Sequence, residues 1–371
     1  MGRHLFLHIG DCKTGSTILQ TMLGNGDCTP HGLKLFTPGQ GMHGMLPCSL
    51  GQRPDLYPQR WIGNARLLGQ ADWDVAVLSS ELFAFVSPAK VARAVNDHLA
   101  DVADRISVIA YIRPHAGRLL SQYAENIKLG HTSDTLEDFA EQFLAAGRLQ
   151  YARRLDTWQA AFGDRLVVRP FIRERLTGKD IRRDFLSVIL GDTPYDLKDS
   201  GQDDNASLPV ADLALMRFLQ RRFATLPDLP EDNHVAFGKR FGRLLRDIPP
   251  VAPPETLRLT RALHDRLVED CAEDSARMDA EWFGGPVFVP ELERAADGSL
   301  AQSQSLDPED HLGHAGRAKG VDLGPIGTAG RADMNHIVGV CAAGDRSHLN
   351  TGLTQGGQGL GQLELFACIG A

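Results

Sequence analysis

The sequence predicts an α/β fold in which a parallel β-sheet is flanked by helices and followed by a helical C-terminal part. Two observations carry this prediction. Four short apolar runs, at residues 4–9, 73–80, 105–112 and 165–169, have the length and composition of buried strands. Stretches with helical spacing of apolar residues separate these runs, and strands that alternate with helices form parallel sheets through right-handed crossovers.

The first strand and the first helix are joined by a tight turn. Residues 4–9 end at Gly10, and the small and hydroxyl residues at 14–17 suit the start of a helix. Residues 25–72 are rich in Gly, Pro and His, which predicts an irregular insertion with one short helix at 59–68. An insertion of this kind is a candidate substrate-facing region.

The later elements follow the same alternation. The strand at 73–80 precedes a helix at 88–103, and the strand at 105–112 ends at Arg113, where Pro114 suits the first turn of the next helix. That helix runs to about residue 128. Further helices are predicted at 134–147, 150–162, 179–190, 208–224, 232–245 and 255–279.

The composition changes after about residue 290. The last 81 residues contain 15 glycines without a period and almost no aromatic residues, which is untypical of a packed core. We therefore predict an α/β domain at 1–290 and a low-complexity, disordered tail at 291–371. His311 and His314 lie three residues apart in this tail, but no third ligand accompanies them, and no metal site is predicted.

Composition and charge exclude several classes of protein. The chain has 371 residues and a net charge of −8, which argues against general nucleic-acid binding because that function requires a basic face. No run reaches the roughly 18–20 apolar residues that span a bilayer, so no integral membrane segment is predicted. The N-terminus lacks a signal-peptide pattern, and six cysteines without C-x-x-C spacing indicate free thiols. A cytoplasmic location is expected.

The turn after the first strand has the character of an anion site. A strand-to-helix turn points backbone N–H groups and the positive end of a helix at one place. Lys13 adds a positive charge, and Ser16 and Thr17 add hydroxyl donors. The standard nucleoside-triphosphate loop carries its lysine after the second glycine, whereas Lys13 precedes Gly15. The turn therefore predicts a site for a phosphate or sulfate ester.

Three polar residues directly follow predicted strands, namely Lys13, Glu81 and Arg113. In open parallel sheets, ligands bind outside the carboxyl ends of the strands. We therefore expect these three side chains to lie at one edge of the sheet.

The segment at 13–17, Lys-Thr-Gly-Ser-Thr, resembles the 5′-phosphosulfate loop of the sulfotransferase family, which uses 3′-phosphoadenylyl sulfate. In that family, an arginine closes a core strand and a serine follows eight residues later. Arg113 and Ser121 resemble this pair in spacing and in placement. The resemblance covers residues 4–190 and, more loosely, 191–290. Animal cytosolic members carry a tryptophan just after the loop, where this chain has Ile18.

The resemblance implies a P-loop-like fold of the sulfotransferase type, with 3′-phosphoadenylyl sulfate as co-substrate and no metal. The residues implied to bind the co-substrate are Lys13, Thr14, Gly15, Ser16, Thr17, Arg113 and Ser121. In the family, a histidine or a glutamate near the end of the second core strand removes the proton of the acceptor, and Glu81 is the candidate here. Lys13 would assist the leaving oxygen. His8, His43 and His115 are weaker candidates for the base.

Two other functions stay open at this stage. A small-molecule kinase with an atypical phosphate loop would need Mg²⁺ and an acidic ligand, for which Glu81 could serve, but it leaves Arg113 and Ser121 unexplained. A non-catalytic nucleotide-binding relative would keep the fold without the chemistry. The acceptor is expected to be a small molecule or a glycan that contacts the insertion at 25–72 and the later helices.

Overall fold

The computed structural model describes residues 2–198, 207–224, 231–247 and 254–311. The strands are β1 (His4–His8), β2 (Cys28–Pro30), β3 (Leu35–Phe36), β4 (Val75–Ser79), β5 (Arg105–Ile112), β6 (Leu166–Pro170) and β7 (Tyr195–Leu197). The α-helices are α1 (Ser16–Asn25), α2 (Met45–Ser49), α3 (Gln59–Gln70), α4 (Pro88–Leu99), α5 (His115–Leu129), α6 (Leu136–Ala145), α7 (Tyr151–Phe162), α8 (Ile181–Leu190), α9 (Val210–Phe223), α10 (Glu231–Asp247), α11 (Arg261–Arg277) and α12 (Phe288–Asp297).

The main sheet has five strands in the order β3-β4-β1-β5-β6, and all of its neighbouring strands are parallel. At the centre, His8 of β1 lies opposite Ser79 of β4 and Ile109 of β5. Leu5 and Phe6, whose side chains point to opposite faces of β1, are both buried, as expected of a central strand that is covered on both faces. The predicted α/β fold with a parallel sheet is confirmed.

One face of this sheet packs against α1 and α8. Phe6 and Tyr111 contribute the strand side of the cluster, and Leu19, Phe185 and Ile189 contribute the helix side. Burying apolar side chains of this size contributes about 1.5–3 kcal/mol each. This packing fixes α1 against β1, and with it the turn that joins them.

The chain divides into two compact units. The first comprises residues 1–119, 141–206 and 261–299 and contains the five-stranded sheet. The second comprises residues 120–140, 207–260 and 300–371, of which the described part is mainly helical.

Within the second unit, α9 and α10 pack through aromatic rings and one glutamine. The ring centroids of Phe223 and Phe237 lie 4.3 Å apart. Gln220 Nε2 donates to the carbonyls of Lys128 at 2.8 Å and of His234 at 3.0 Å. These bonds hold α9, α10 and the end of α5 together.

The structure differs from the sequence prediction around residue 290. Helix α12 crosses the predicted boundary between domain and tail, because Phe288 and Leu292 are buried and Asp279 caps the helix start. The two Asp279 carboxylate oxygens accept from the N–H groups of Phe288 at 2.6 Å and Val289 at 3.1 Å. Most of the predicted tail, residues 312–371, lies outside the described residues.

The insertion at 25–72 is more regular than predicted. It contains β2, β3, α2 and α3, and the predicted helix at 59–68 corresponds to α3. The predicted helix at 255–279 begins only at Arg261 and continues as a π-helix at Met278–Phe283. Among the helices of the described residues, none combines the length and the apolar composition that crossing a membrane requires.

Candidate active site

Four chain segments leave neighbouring strands at the same edge of the main sheet. The turn at 9–15 follows β1, Glu81 follows β4, Arg113 follows β5 and Phe171 follows β6. Because the strands are parallel, all four segments leave at the carboxyl edge, which is where ligands bind in such sheets. The arrangement brings the sequence-predicted residues Glu81 and Arg113 to the turn that carries Lys13.

The turn at 9–15 takes three left-handed backbone conformations in six residues. Gly10 has φ = 61°, Lys13 has φ = 67° and Gly15 has φ = 81°. A non-glycine residue in this region costs about 1–2 kcal/mol, and such strain clusters at ligand sites. The Thr14 hydroxyl, one of the predicted ligands, is fully buried and donates to the carbonyl of Asp11 at 2.6 Å, so it maintains the turn itself.

The start of α1 offers donors that the protein does not use. Gly15 is the N-cap residue and provides no side-chain cap. Ser16 Oγ is buried and has no hydrogen-bond partner among the described residues. A buried hydroxyl without a partner costs about 1–3 kcal/mol unless a ligand satisfies it. These features fit a bound phosphate or sulfate group at this helix start.

Gly10 lets the turn approach the residue that follows β4. A Cβ atom at Gly10 would lie 2.9 Å from both Cα and Cβ of Glu81. We expect Gly10→Ala to lower the free energy of unfolding by about 1–3 kcal/mol more than Gly26→Ala does. Gly26 is the matched control because its φ is 64° and nothing lies within 4 Å of its Cβ position. Urea unfolding measures both, and equal losses would contradict the close approach.

Arg113 reaches back from β5 to the turn. Its Nη1 donates to the carbonyl of Lys13 at 3.2 Å, and its guanidinium lies 5.8 Å from the ring centroid of Phe171. Gly117 makes room for this side chain, since a Cβ there would lie 3.1 Å from Arg113 Nε. Burial and the nearby Arg118 lower the pKa of Arg113 from its ordinary value. An anion beside this guanidinium would offset both effects.

A buried carboxylate at the start of the turn binds two further arginines. Asp11 Oδ2 accepts from Arg154 Nη2 at 2.8 Å, and its Oδ1 lies 3.7 Å from Arg118 Nη2. Burial raises the pKa of Asp11, but Arg154 and Arg118 together hold it below its ordinary value. No local sequence pattern indicates this cluster, because Asp11 and Arg154 are 143 residues apart.

The edge carries more positive than negative charge. Arg118 and Arg154 pair with the carboxylate of Asp11, Arg113 contacts the backbone of the turn, and Lys13 belongs to the turn, so positively charged residues outnumber Asp11 and Glu81 here. The chain as a whole has a net charge of −8. The positive charge is therefore local, as the anion-site prediction requires.

Glu81 is half-buried at the start of the short 3₁₀ helix after β4. Its Oε2 accepts from Gln20 Nε2 at 2.9 Å, and the same nitrogen lies 3.3 Å from Ser79 Oγ. Gln20 is not predictable from the sequence alone, because it is an ordinary polar residue in the α1 pattern. Only the pairing of β1 with β4 brings it to Glu81.

The three histidines named as alternative bases are all buried. His8 packs in β1, with Nδ1 2.8 Å from Ser79 Oγ. The ring of His43 accepts from the backbone N–H of Ser79 at 3.0 Å, and that of His115 pairs with Asp274 at 2.9 Å. Burial lowers the pKa of both His8 and His43 to about 4. Glu81 is thus the most accessible of the four candidates.

Two other predicted ligands lie on helices. Thr17 is exposed in the first turn of α1. Ser121 is buried on α5, eight residues after Arg113, and it belongs to the second compact unit. Within the described residues, no three His, Cys, Asp or Glu side chains are grouped as metal ligands would be, and His314 lies outside those residues.

No protein-family model matches the chain, and no curated protein matches it. Among solved structures, the chain is similar to the crystal structure of a sulfotransferase from Alicyclobacillus acidocaldarius, with a TM-score of 0.41 and 14% sequence identity. The match covers 76% of this chain and 96% of that chain. A likeness this distant carries no conclusion about activity, which is inferred below from the chain's own residues.

Proposed function

We propose that the protein is a sulfotransferase that moves a sulfuryl group from 3′-phosphoadenylyl sulfate to a hydroxyl or an amine of an acceptor. The observation that carries this proposal is the bond from Arg113 Nη1 to the carbonyl of Lys13, at 3.2 Å. Through this bond the guanidinium that follows β5 contacts the backbone of the turn that follows β1, which supports one nucleotide site at both strand ends. A nucleotide with anionic groups at its 5′ and 3′ positions needs a cationic group for each, and Lys13 and Arg113 are the candidates.

The residues of the turn suit the 5′-phosphosulfate of the donor. Lys13, the unpartnered hydroxyl of Ser16 and the N–H groups at the start of α1 would hold it. Arg113 would bind the 3′-phosphate, because a guanidinium grips phosphate oxygens through two parallel bonds. Roles for Thr17 and Ser121 stay predictions from the sequence.

The donor carries its sulfuryl group on a good leaving group. The protein therefore has to bind and orient the two substrates and remove one proton from the acceptor. As the acceptor atom bonds to sulfur, the bond from sulfur to the phosphate oxygen breaks and adenosine 3′,5′-bisphosphate leaves. Lys13 and the N–H groups of the turn stabilise the charge on that oxygen. Glu81 takes the acceptor's proton.

The test is nucleotide-dependent thermal stability. Adenosine 3′,5′-bisphosphate without Mg²⁺ should raise the melting temperature, since a ligand at about 100 times its Kd adds about 2.7 kcal/mol. ATP with Mg²⁺ should not. The reverse pattern would favour the kinase alternative, and no shift with either nucleotide would contradict a nucleotide site at this edge.

A further inference from the structure

Glu81 is held by a side chain that the proposed mechanism does not use. Gln20 Nε2 lies 2.9 Å from Glu81 Oε2 and 3.3 Å from Ser79 Oγ. Gln20 is 6% exposed. Both neighbours offer an oxygen, and the amide nitrogen is the atom that can donate to both.

We propose that Gln20 is a positioning residue that fixes the Glu81 carboxylate for proton removal, a role that rests on the proposed sulfotransferase function. A carboxylate accepts several hydrogen bonds through two oxygens. Holding Oε2 with a buried donor removes rotational freedom from the side chain, and it leaves the second oxygen for the proton of the acceptor. Proton transfer requires a base within hydrogen-bond reach of that proton. The orientation of Glu81 should therefore affect the rate of transfer more than the affinity for the donor.

Gln20 is itself oriented from two directions. Gln20 lies one helical turn after Ser16 on α1, so the Gln20 side chain and the Ser16 hydroxyl lie on the same face of the helix. On the other side, Ser79 Oγ contacts both Gln20 and Nδ1 of His8, at 3.3 and 2.8 Å. The chain of bonds from His8 through Ser79 to Gln20 ends on Glu81.

The network explains why polar side chains occupy the ends of buried strands. His8 and Ser79 are fully buried, and burying polar groups is tolerated when they bond to each other. Burial keeps His8 neutral by lowering its pKa to about 4. These residues therefore act as fixed supports and do not exchange protons at neutral pH.

The test follows sulfate release from 3′-phosphoadenylyl sulfate, with water as the acceptor. In this reaction the water oxygen bonds to sulfur, the bond from sulfur to the bisphosphate oxygen breaks, and a proton passes to Glu81. We expect Gln20→Met to lower kcat about tenfold, because a hydrogen bond to a charged group contributes about 1.5–3 kcal/mol. KM for the donor and stabilisation by adenosine 3′,5′-bisphosphate should stay unchanged. Ser79→Ala, which removes one contact of Gln20 but leaves its bond to Glu81, should give a smaller loss.

A double-mutant cycle separates positioning from a purely structural role. In a Glu81→Gln background, Gln20→Met should cause no further loss of kcat, whereas a structural role would cause the same loss in both backgrounds. The control is Gln159→Met, at an exposed position on α7.

The outcomes distinguish this inference from the proposed function. If the wild-type protein releases sulfate and the Gln20→Met variant retains the full kcat, the positioning role alone is contradicted. An equal loss in both backgrounds would also overturn it. Wild-type protein that neither binds the bisphosphate nor releases sulfate would contradict the proposed function, and the positioning role with it.

Discussion

Lys13→Ala should lower sulfuryl transfer by about 100-fold or more, mainly through kcat. Removing one preorganised donor from a developing negative charge typically costs about 10²–10³ in rate. Alanine keeps the same left-handed backbone requirement at this position, where φ is 67°, so the loss reports the missing ammonium group. Sulfate release from the donor measures it. A kcat within a few-fold of the wild type would remove Lys13 from the chemistry.

The companion variant, Arg113→Ala, should act on binding. A hydrogen bond to a charged group contributes about 1.5–3 kcal/mol, which is at least about tenfold in the Kd of adenosine 3′,5′-bisphosphate. Arg113→Lys should recover only part of this affinity, because an ammonium lacks the two parallel donors of a guanidinium. Arg93→Ala is the control, at an exposed position on α4. Equal affinities for the wild type and Arg113→Ala would contradict the proposed phosphate contact.

Asp184→Ala should lower the free energy of unfolding by about 3–5 kcal/mol, because it removes one partner from a buried, charged network. The carboxylate is fully buried on α8 and accepts from the Tyr111 hydroxyl at 2.7 Å, Arg169 Nη2 at 2.6 Å and the Thr177 N–H at 3.0 Å. Burial raises the pKa of Asp184, but these donors together hold it below its ordinary value. Without the carboxylate, the buried hydroxyl of Tyr111 loses its acceptor.

Urea unfolding at pH 7 checks this prediction. Asp184→Asn, which keeps the shape and one acceptor oxygen, should lose less stability than the alanine variant. Asp55→Ala is the matched control, because the ion pair of Asp55 with Arg53 is largely exposed and such pairs contribute less than about 1 kcal/mol. A loss at Asp184 as small as that at Asp55 would show that the network does not anchor α8 to β5 and β6.

The central strands were predictable because they are buried on both faces. Such strands are near-continuous apolar runs, so the predictions at 4–9 and 105–112 match β1 and β5 within about one residue. The edge strand β3 has only two residues, Leu35–Phe36, which is too short for any period to show. Its place depends on pairing with β4 instead.

The candidate site was predictable only where it follows the ends of strands. Lys13, Glu81 and Arg113 stand directly after apolar runs, so topology alone places them at one edge. Gln20 and the Asp11–Arg154 pair carry no such signal, because their partners are 61 and 143 residues away in sequence. The inward direction of the Thr14 hydroxyl depends on the local backbone of the turn, which composition does not reveal.

The order of the strands places different candidate residues on the two sides of β1. Strands β3 and β4 lie on one side, together with Glu81 and most of the insertion at 25–72, while β5 and β6 lie on the other side with Arg113. The crossover direction reverses at β1, and ligands of open parallel sheets bind at such a point of reversal. In the proposed function, a change confined to the inserted segment would alter the acceptor side and leave the Arg113 side, which would bind the donor, unchanged.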